Sequence, residues 1–396
     1  MTDPHRRKAI RFIVFLGCIS LFADMTYEGA RSINGSFLQV LGASGAAVGI
    51  AAGFGELVGY GLRWISGYLS DRTRKYWTIV IAGYMLNLLS VPLLAWAGYW
   101  QVAVILMIAE RAGKAVRSPT KDAMLSHASS RVGHGWGFGL HEFMDQVGAT
   151  LGPLGISAVL FFKLGDYREA YLLLFIPAVC SLVLLVLARI SYPDPSTLSI
   201  RKIELQKAKG FPPGFGIYVV AAMCLAAGYA DYPLIAYHFQ KHHLVAVAWI
   251  PALYAIAMLT EGFSSLAIGK IFDRIGLWAL AGVTVLTLFF APLVFGNNIH
   301  YALIGMVLWG IGMGAQSSIL KAVVSAMVPA EKKATAFGLF DTFFGIAWFA
   351  GSALMGWLYD ISVKGLIVFS MTMQLATILF LVIYIRRTSA PRAAEA

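Results

Sequence analysis

The chain has 396 residues, of which 59% are hydrophobic and only 13% charged, with a formal net charge of +11. A soluble domain carries about twice that share of charged residues, so the composition excludes an ordinary water-soluble globule and points to a chain that meets lipid. The bases fall in short clusters between apolar runs, with no basic stripe and no nucleic-acid module, which excludes nucleic acid as a partner.

The chain opens with Arg6, Arg7 and Lys8 before an apolar run, as a signal peptide does. That run carries Asp24 and Glu28 and lacks a small-residue cleavage site, so it is expected to stay as a first membrane span. A span needs about 20 mostly apolar residues. Twelve such stretches are expected, near 10–38, 44–69, 77–97, 101–118, 134–162, 169–190, 214–237, 246–270, 277–295, 300–325, 334–358 and 365–385. The runs are too long for strands and show no alternation of period two, which rules out a β-barrel. Cys18, Cys180 and Cys224 each fall inside a span without metal-ligand spacing and are expected to be packing residues.

Charged residues inside the spans are costly and are therefore candidates for function. In span one, Asp24, Glu28 and Arg31 are spaced by four and three and share one helix face, where Arg31 can neutralise Glu28 and leave Asp24 the freer group. In span two, Glu56, Tyr60 and Arg63 do the same, with Arg63 near enough to the cytoplasm to snorkel. Span four holds Glu110, Arg111 and Lys114, and Glu110 stands one turn from Lys114. In span five, His141, Asp145, Gly148 and Gly152 share a face, with Glu142 beside it and Pro153 following. The second half offers Asp231, Glu261, Lys321 and Asp341. His238, His242 and His243 sit near an outer loop and are expected to be solvated.

Orientation follows from lysine and arginine. The tails and loops on one side hold 21 of them and the opposite loops only Lys163, Arg168, Lys241 and Lys364, so both termini are expected in the cytoplasm. A segment rich in proline and bases, 193–213, separates a first half, 1–192, from a second, 214–396. Three landmarks repeat: Gly67 to Arg72 and Gly269 to Arg274 are offset by 202, Phe138-Gly-Leu and Phe337-Gly-Leu by 199, and Lys121 and Lys321 by 200. A parallel repeat of two six-helix halves is implied.

The doubled element, Gly67-Tyr-Leu-Ser-Asp71-Arg72 and Gly269-Lys-Ile-Phe-Asp273-Arg274, resembles the cytoplasmic gate motif of the major facilitator superfamily. The glycine is expected to let two helices approach, the aspartate to sit at a helix N-terminus, and the arginine to supply a partner that changes with state. The pattern continues with glycine three residues past the aspartate; Gly276 keeps it, and Arg74 departs from it. Arg111 to Asp122 resembles a motif of a poorly characterised prokaryotic branch of the family. The arginine of span four partly fits a family pattern linked to proton coupling, although Gly113 follows it too closely. Gly148 to Gly155 partly resembles a family antiporter element, in which Gly148 and Gly152 pack tightly and Pro153 bends the helix.

The resemblance implies a multi-pass transporter of the cell membrane with the all-α, twelve-helix fold of that superfamily. It is expected to work as a monomer without cofactor or enzyme chemistry, moving a small organic solute by proton-coupled export. Ion coupling is expected mainly in the first half and substrate shape recognition mainly in the second. The competing readings are a divalent-metal or metal-chelate transporter resembling ferroportin, built on Asp24, Glu28, His141, Glu142 and Asp145, and a non-transporting membrane sensor or scaffold.

Overall fold

A computed structural model describes residues 4–129, 132, 134–194, 214–327 and 333–394. The linker from residue 195 onward, Arg131 and Lys332 lie outside them, as do the side chains of Asp71 and Lys321. The described residues are helical: α1 Pro4–Val40, α2 Gly45–Thr73, α3 Tyr76–Leu93, α4 Trp100–Ser129, α5 His134–Phe162, α6 Tyr167–Leu173, α7 Phe175–Ser191, α8 Phe215–Gly228, α9 Tyr232–Lys241, α10 Trp249–Ile275, α11 Trp278–Thr287, α12 Phe290–Val294, α13 Ile299–Ala315, α14 Lys321–Met327, α15 Lys333–Ile361 and α16 Val363–Ala394. Ten stretches are long and apolar enough to cross a membrane. Helix α4 is equally long but carries Glu110, Arg111, Lys114, Arg117, Lys121 and Asp122, and the stretch 278–294 is shorter.

Helix α7 shows the division between a lipid face and a packing face. On α7, Ile176, Val183, Val186 and Ile190 are exposed, whereas Ala178, Ser181, Leu185 and Ala188 are buried, and Ser181 Oγ donates to the Ile19 carbonyl of α1 at 2.8 Å. Such apolar exposure would be a large patch in water and is the ordinary surface in a bilayer.

Two compact units form. The first comprises residues 1–41, 58–204 and 246–255; the second comprises 42–57, 205–245 and 256–396. The start of α2 thus belongs to the second unit and the start of α10 to the first. In the second unit, Gly49 and Gly53 of α2 pack on Ser352, Phe349 and Gly356 of α15, and a Cβ at Gly49 would lie 2.8 Å from Gly356 Cα. Asp360 closes that seam, its Oδ1 accepting from Gly45 N at 2.8 Å and its Oδ2 from Ala46 N at 2.7 Å, which caps two of the open donors of α2.

One pair of corresponding glycines packs alike in the two units. In the first unit a Cβ at Gly152 would press on the Met25 carbonyl of α1, and in the second a Cβ at Gly351 would press on the Ala227 carbonyl of α8. Both glycines let α-helical backbones touch. Pro153 does not interrupt α5, which runs unbroken to Phe162. The interruptions in the second unit lie elsewhere. The stretch 215–241 opens at Tyr229–Asp231, just before Pro233, which lacks the N–H a continuous helix would need. A π-helical turn occupies Gln316–Leu320.

Candidate functional site

The first unit buries a row of charge along α1, α4 and α5. The sequence-predicted face of α1 is real: Asp24 and Glu28 are both buried, and Arg31 NH1 lies 3.9 Å from Glu28 Oε1. The pairing across helices differs from that expected from spacing. Lys114 lies within electrostatic reach of Glu110 but makes its ion pair with α1: its Nζ lies 3.8 Å from Glu28 Oε1 and 3.8 Å above the Tyr27 ring, where the π face favours a cation. Glu28 Oε2 accepts from the Tyr254 hydroxyl at 2.5 Å. Glu110 instead accepts from Asn87 Nδ2 of α3 at 2.8 Å, and Arg111 Nε lies 3.6 Å from its other oxygen. Local spacing fixes which residues share a face; the neighbouring helix decides which of them meet.

A second cluster lies about two helical turns along α1, at Ser20. Lys121 Nζ donates to Ser20 Oγ at 3.2 Å, and Ser20 Oγ lies 3.0 Å from His141 Nε2. On the other side of the ring, His141 Nδ1 is 3.2 Å from Asp145 Oδ2, and Lys121 Nζ is 3.9 Å from the same oxygen. Ser20 Oγ also lies 3.5 Å from the Tyr84 hydroxyl, so one serine hydroxyl joins Lys121, His141 and Tyr84. Asp145 Oδ1 accepts no hydrogen bond among the described residues, although it is buried. Asp24 lies between the clusters; the Tyr27 hydroxyl bonds it, and Lys114 and Arg117 are near enough to attract it. Arg117, only 2% exposed, stacks 4.2 Å over the Tyr84 ring.

Ser20, Asn87, Arg117, Lys121 and Tyr254 were therefore missing from the sequence-predicted site. The signal for two of them was present. The charge row Glu110, Lys114, Arg117, Lys121 keeps helical spacing beyond residue 118, and α4 extends to Ser129. Arg117 and Lys121 are consequently buried helix residues.

The remaining candidates fall elsewhere. Glu142 is exposed on α5, within electrostatic reach of Asp145, Lys121 and His141. Glu56, Glu261 and Asp341 are half-buried on α2, α10 and α15. Asp231 lies buried at the opening between α8 and α9, where Trp348 Nε1 donates to it at 2.8 Å and Ser352 Oγ donates to its other oxygen. Trp309 Nε1 donates to the neighbouring Ala230 carbonyl at 2.9 Å. His238 is buried rather than solvated, its Nδ1 2.9 Å from the Tyr359 hydroxyl. Just beyond that span, His242 is held below the ordinary histidine value by partial burial and by the Lys241 ammonium.

In the gate elements, Arg72, Asp273 and Arg274 are exposed. Among the described residues the motif glycines meet no close helix: a Cβ at Gly67 would meet only Pro119 Cβ at 3.6 Å, and one at Gly269 would meet nothing within 4 Å. The third position explains the family's later glycine. Gly276 has φ +61° and Arg74 has φ +54°, so both copies end in the left-handed conformation, and Arg74 adopts it against its side chain.

A family model described as the Major Facilitator Superfamily matches residues 15–352 and 279–396. Uncharacterised proteins of Mycobacterium tuberculosis and Mycobacterium bovis are each 39% identical over 378 residues, covering 94% of this chain and 92% of theirs. An uncharacterised MFS-type transporter of Methanocaldococcus jannaschii is 25% identical over 369 residues, 91% of either chain. Among solved structures, a POT family transporter in complex with 5-aminolevulinic acid superposes with a TM-score of 0.74 at 13% identity, covering 95% of both chains. A bacterial homologue of the human lysosomal transporter Spinster gives 0.70 at 14%, covering 97% of this chain and 96% of its own. At those identities the likeness is one of fold. The chain belongs to the major facilitator superfamily and is a multi-pass membrane transporter of that family.

Proposed function

We propose that the protein is a proton-coupled exporter, an antiporter that moves a small organic solute outward by alternating access. Twelve spans are assigned, adding α4 and the stretch 278–294 to the ten apolar ones, with both termini cytoplasmic and 193–213 joining halves 1–192 and 214–396. The observation that carries the coupling is the buried chain Lys121–Ser20–His141–Asp145, whose carboxylate keeps one oxygen without a hydrogen bond among the described residues. A proton arriving at Asp145 or His141 alters the attraction that holds Lys121, and a change of charge in a buried site is the bias an alternating protein needs.

The metal-transport reading has less support, because among the described residues no three histidine, cysteine, aspartate or glutamate side chains are gathered as ligands.

Pyranine-loaded proteoliposomes carrying a pH gradient, challenged with a panel of organic solutes, test the proposal. A solute-dependent change in lumenal pH is expected in the wild type, but not in Asp145→Asn. Solute exchange that ignores the gradient in the wild type would sink the coupling.

A further inference from the structure

We propose that the end of the second unit where α9 meets α15 is a pH-operated latch on the start of α2, opened when His242 takes up a proton. It is separate from the chain Lys121–Ser20–His141–Asp145, all of which belongs to the first unit. Three side chains clasp the segment 43–46. The Tyr237 hydroxyl of α9 donates to the Ala43 carbonyl at 3.1 Å. Asp360 of α15 accepts from the Gly45 and Ala46 amides at 2.8 and 2.7 Å. Tyr359 lies against the same turn, where a Cβ at Gly45 would come within 2.7 Å of its Cδ1. The two tyrosine rings meet edge to face, with centroids 5.5 Å apart.

Charge and imidazole rest on that clasp. The Lys241 ammonium lies 5.5 Å over the Tyr237 ring and 5.1 Å over the Tyr359 ring, an exposed cation held by two π faces. His238 is buried beside them, its Nδ1 2.9 Å from the Tyr359 hydroxyl. His242 follows one turn later, exposed to water, with its ring centroid 4.6 Å from that of His238. A proton can therefore reach His242 from solvent, and the charge it brings lands beside Lys241 and against a ring bonded to the clasp.

The groups around the pair are Tyr237 and Lys241 on α9, His243 in the turn that follows, Tyr359 and Asp360 on α15, and the Gly296 backbone near His238. The segment 43–46 contributes no group that titrates. The carboxylate of that set is Asp360, and both its oxygens already accept from α2. An imidazolium at His242 thus meets a like charge first, and like charges this close repel. Lys241, being exposed, moves off the tyrosine rings into water, and the clasp loses the cation that ties Tyr237 to Tyr359. Partial burial and the Lys241 ammonium hold His242 below the ordinary histidine value, so the closed latch prefers it neutral. By linkage the latch is shut above about pH 6.5 and loosens as the pH falls below that.

The test is hydrogen–deuterium exchange of the full chain in detergent at about pH 7.5 and about pH 5.5, either side of the ordinary histidine value. Labelling times are scaled to the intrinsic exchange rate at each pH. Protection of 43–47 and of 237–244 is expected to fall about twofold at the lower pH, the effect of one like-charge pair. Protection of 178–188 in α7 should not change. His242→Gln should keep both segments equally protected at the two pH values. His242→Arg, a charge that cannot be removed, should show at the higher pH the weaker protection of the wild type at the lower one. Lys241→Gln removes the cation that the proton opposes and should flatten the response as well. Wild-type protection that ignores pH overturns the proposal. So does a loss that persists in His242→Gln, which would assign it to another group such as Asp360. His242→Arg as well protected as wild type at the higher pH overturns it too.

Discussion

Gly152→Ala tests whether the α1–α5 seam is set by backbone contact. The added Cβ would lie 2.9 Å from both the carbonyl carbon and the Cα of Met25, and nearer still to the oxygen. These are backbone atoms of a buried helix, so the methyl is accommodated only if the two helices part. Overpacking of this kind costs about 1–3 kcal/mol. Alanine offsets part of this, since it is better than glycine in a helix by about 0.5–1 kcal/mol. A net loss of about 1–2 kcal/mol is expected. Gly269→Ala is the matched control. It stands in the same type of helix, a Cβ there meets nothing within 4 Å, and only the gain of about 0.5–1 kcal/mol remains. The two variants should therefore melt on opposite sides of the wild type when purified in detergent and heated at one rate, several degrees apart by the usual scaling. If Gly152→Ala melts at or above Gly269→Ala, the seam is not held by backbone contact and the argument fails.

Arg74→Gly should stabilise the protein by about 1 kcal/mol, because the left-handed backbone at Arg74 costs a side chain about that much; a lower melting temperature would contradict it. Gln316→Leu should also stabilise, by about 1–2 kcal/mol. Both amide atoms of Gln316 are buried without hydrogen bonds among the described residues, and a melting point below wild type would mean that the amide is satisfied after all. Asp360→Ala should cost about 0.5–2 kcal/mol by uncapping α2, and hydrogen exchange at Gly45 and Ala46 should quicken; unchanged protection there would show that the cap is idle.

The covalent order of residues determined a good deal of this protein. Apolar runs of about 20 residues announce spans because lipid offers the backbone no partners, so each helix must satisfy itself locally. The row Asp24, Glu28, Arg31 and the row His141, Asp145, Gly148, Gly152 were legible for the same reason, since helical spacing is a property of one segment. The repeat was legible too, and Gly152 and Gly351 now stand at matching seams. Partners across helices were not. Lys114 has Glu110 one turn away in its own helix, yet meets Glu28 of α1, because side chains turn toward whichever buried surface lacks a counter-charge. Nor could spacing foresee that Asp231 meets Trp348 and Ser352, from a helix more than a hundred positions away. The glycines of the gate elements read as close-packing sites, while the backbone contacts fell on Gly49, Gly53, Gly148 and Gly152. A residue's own helix fixes its face; only the folded neighbour fixes what that face touches, because the distance between two helices is written in neither of them alone.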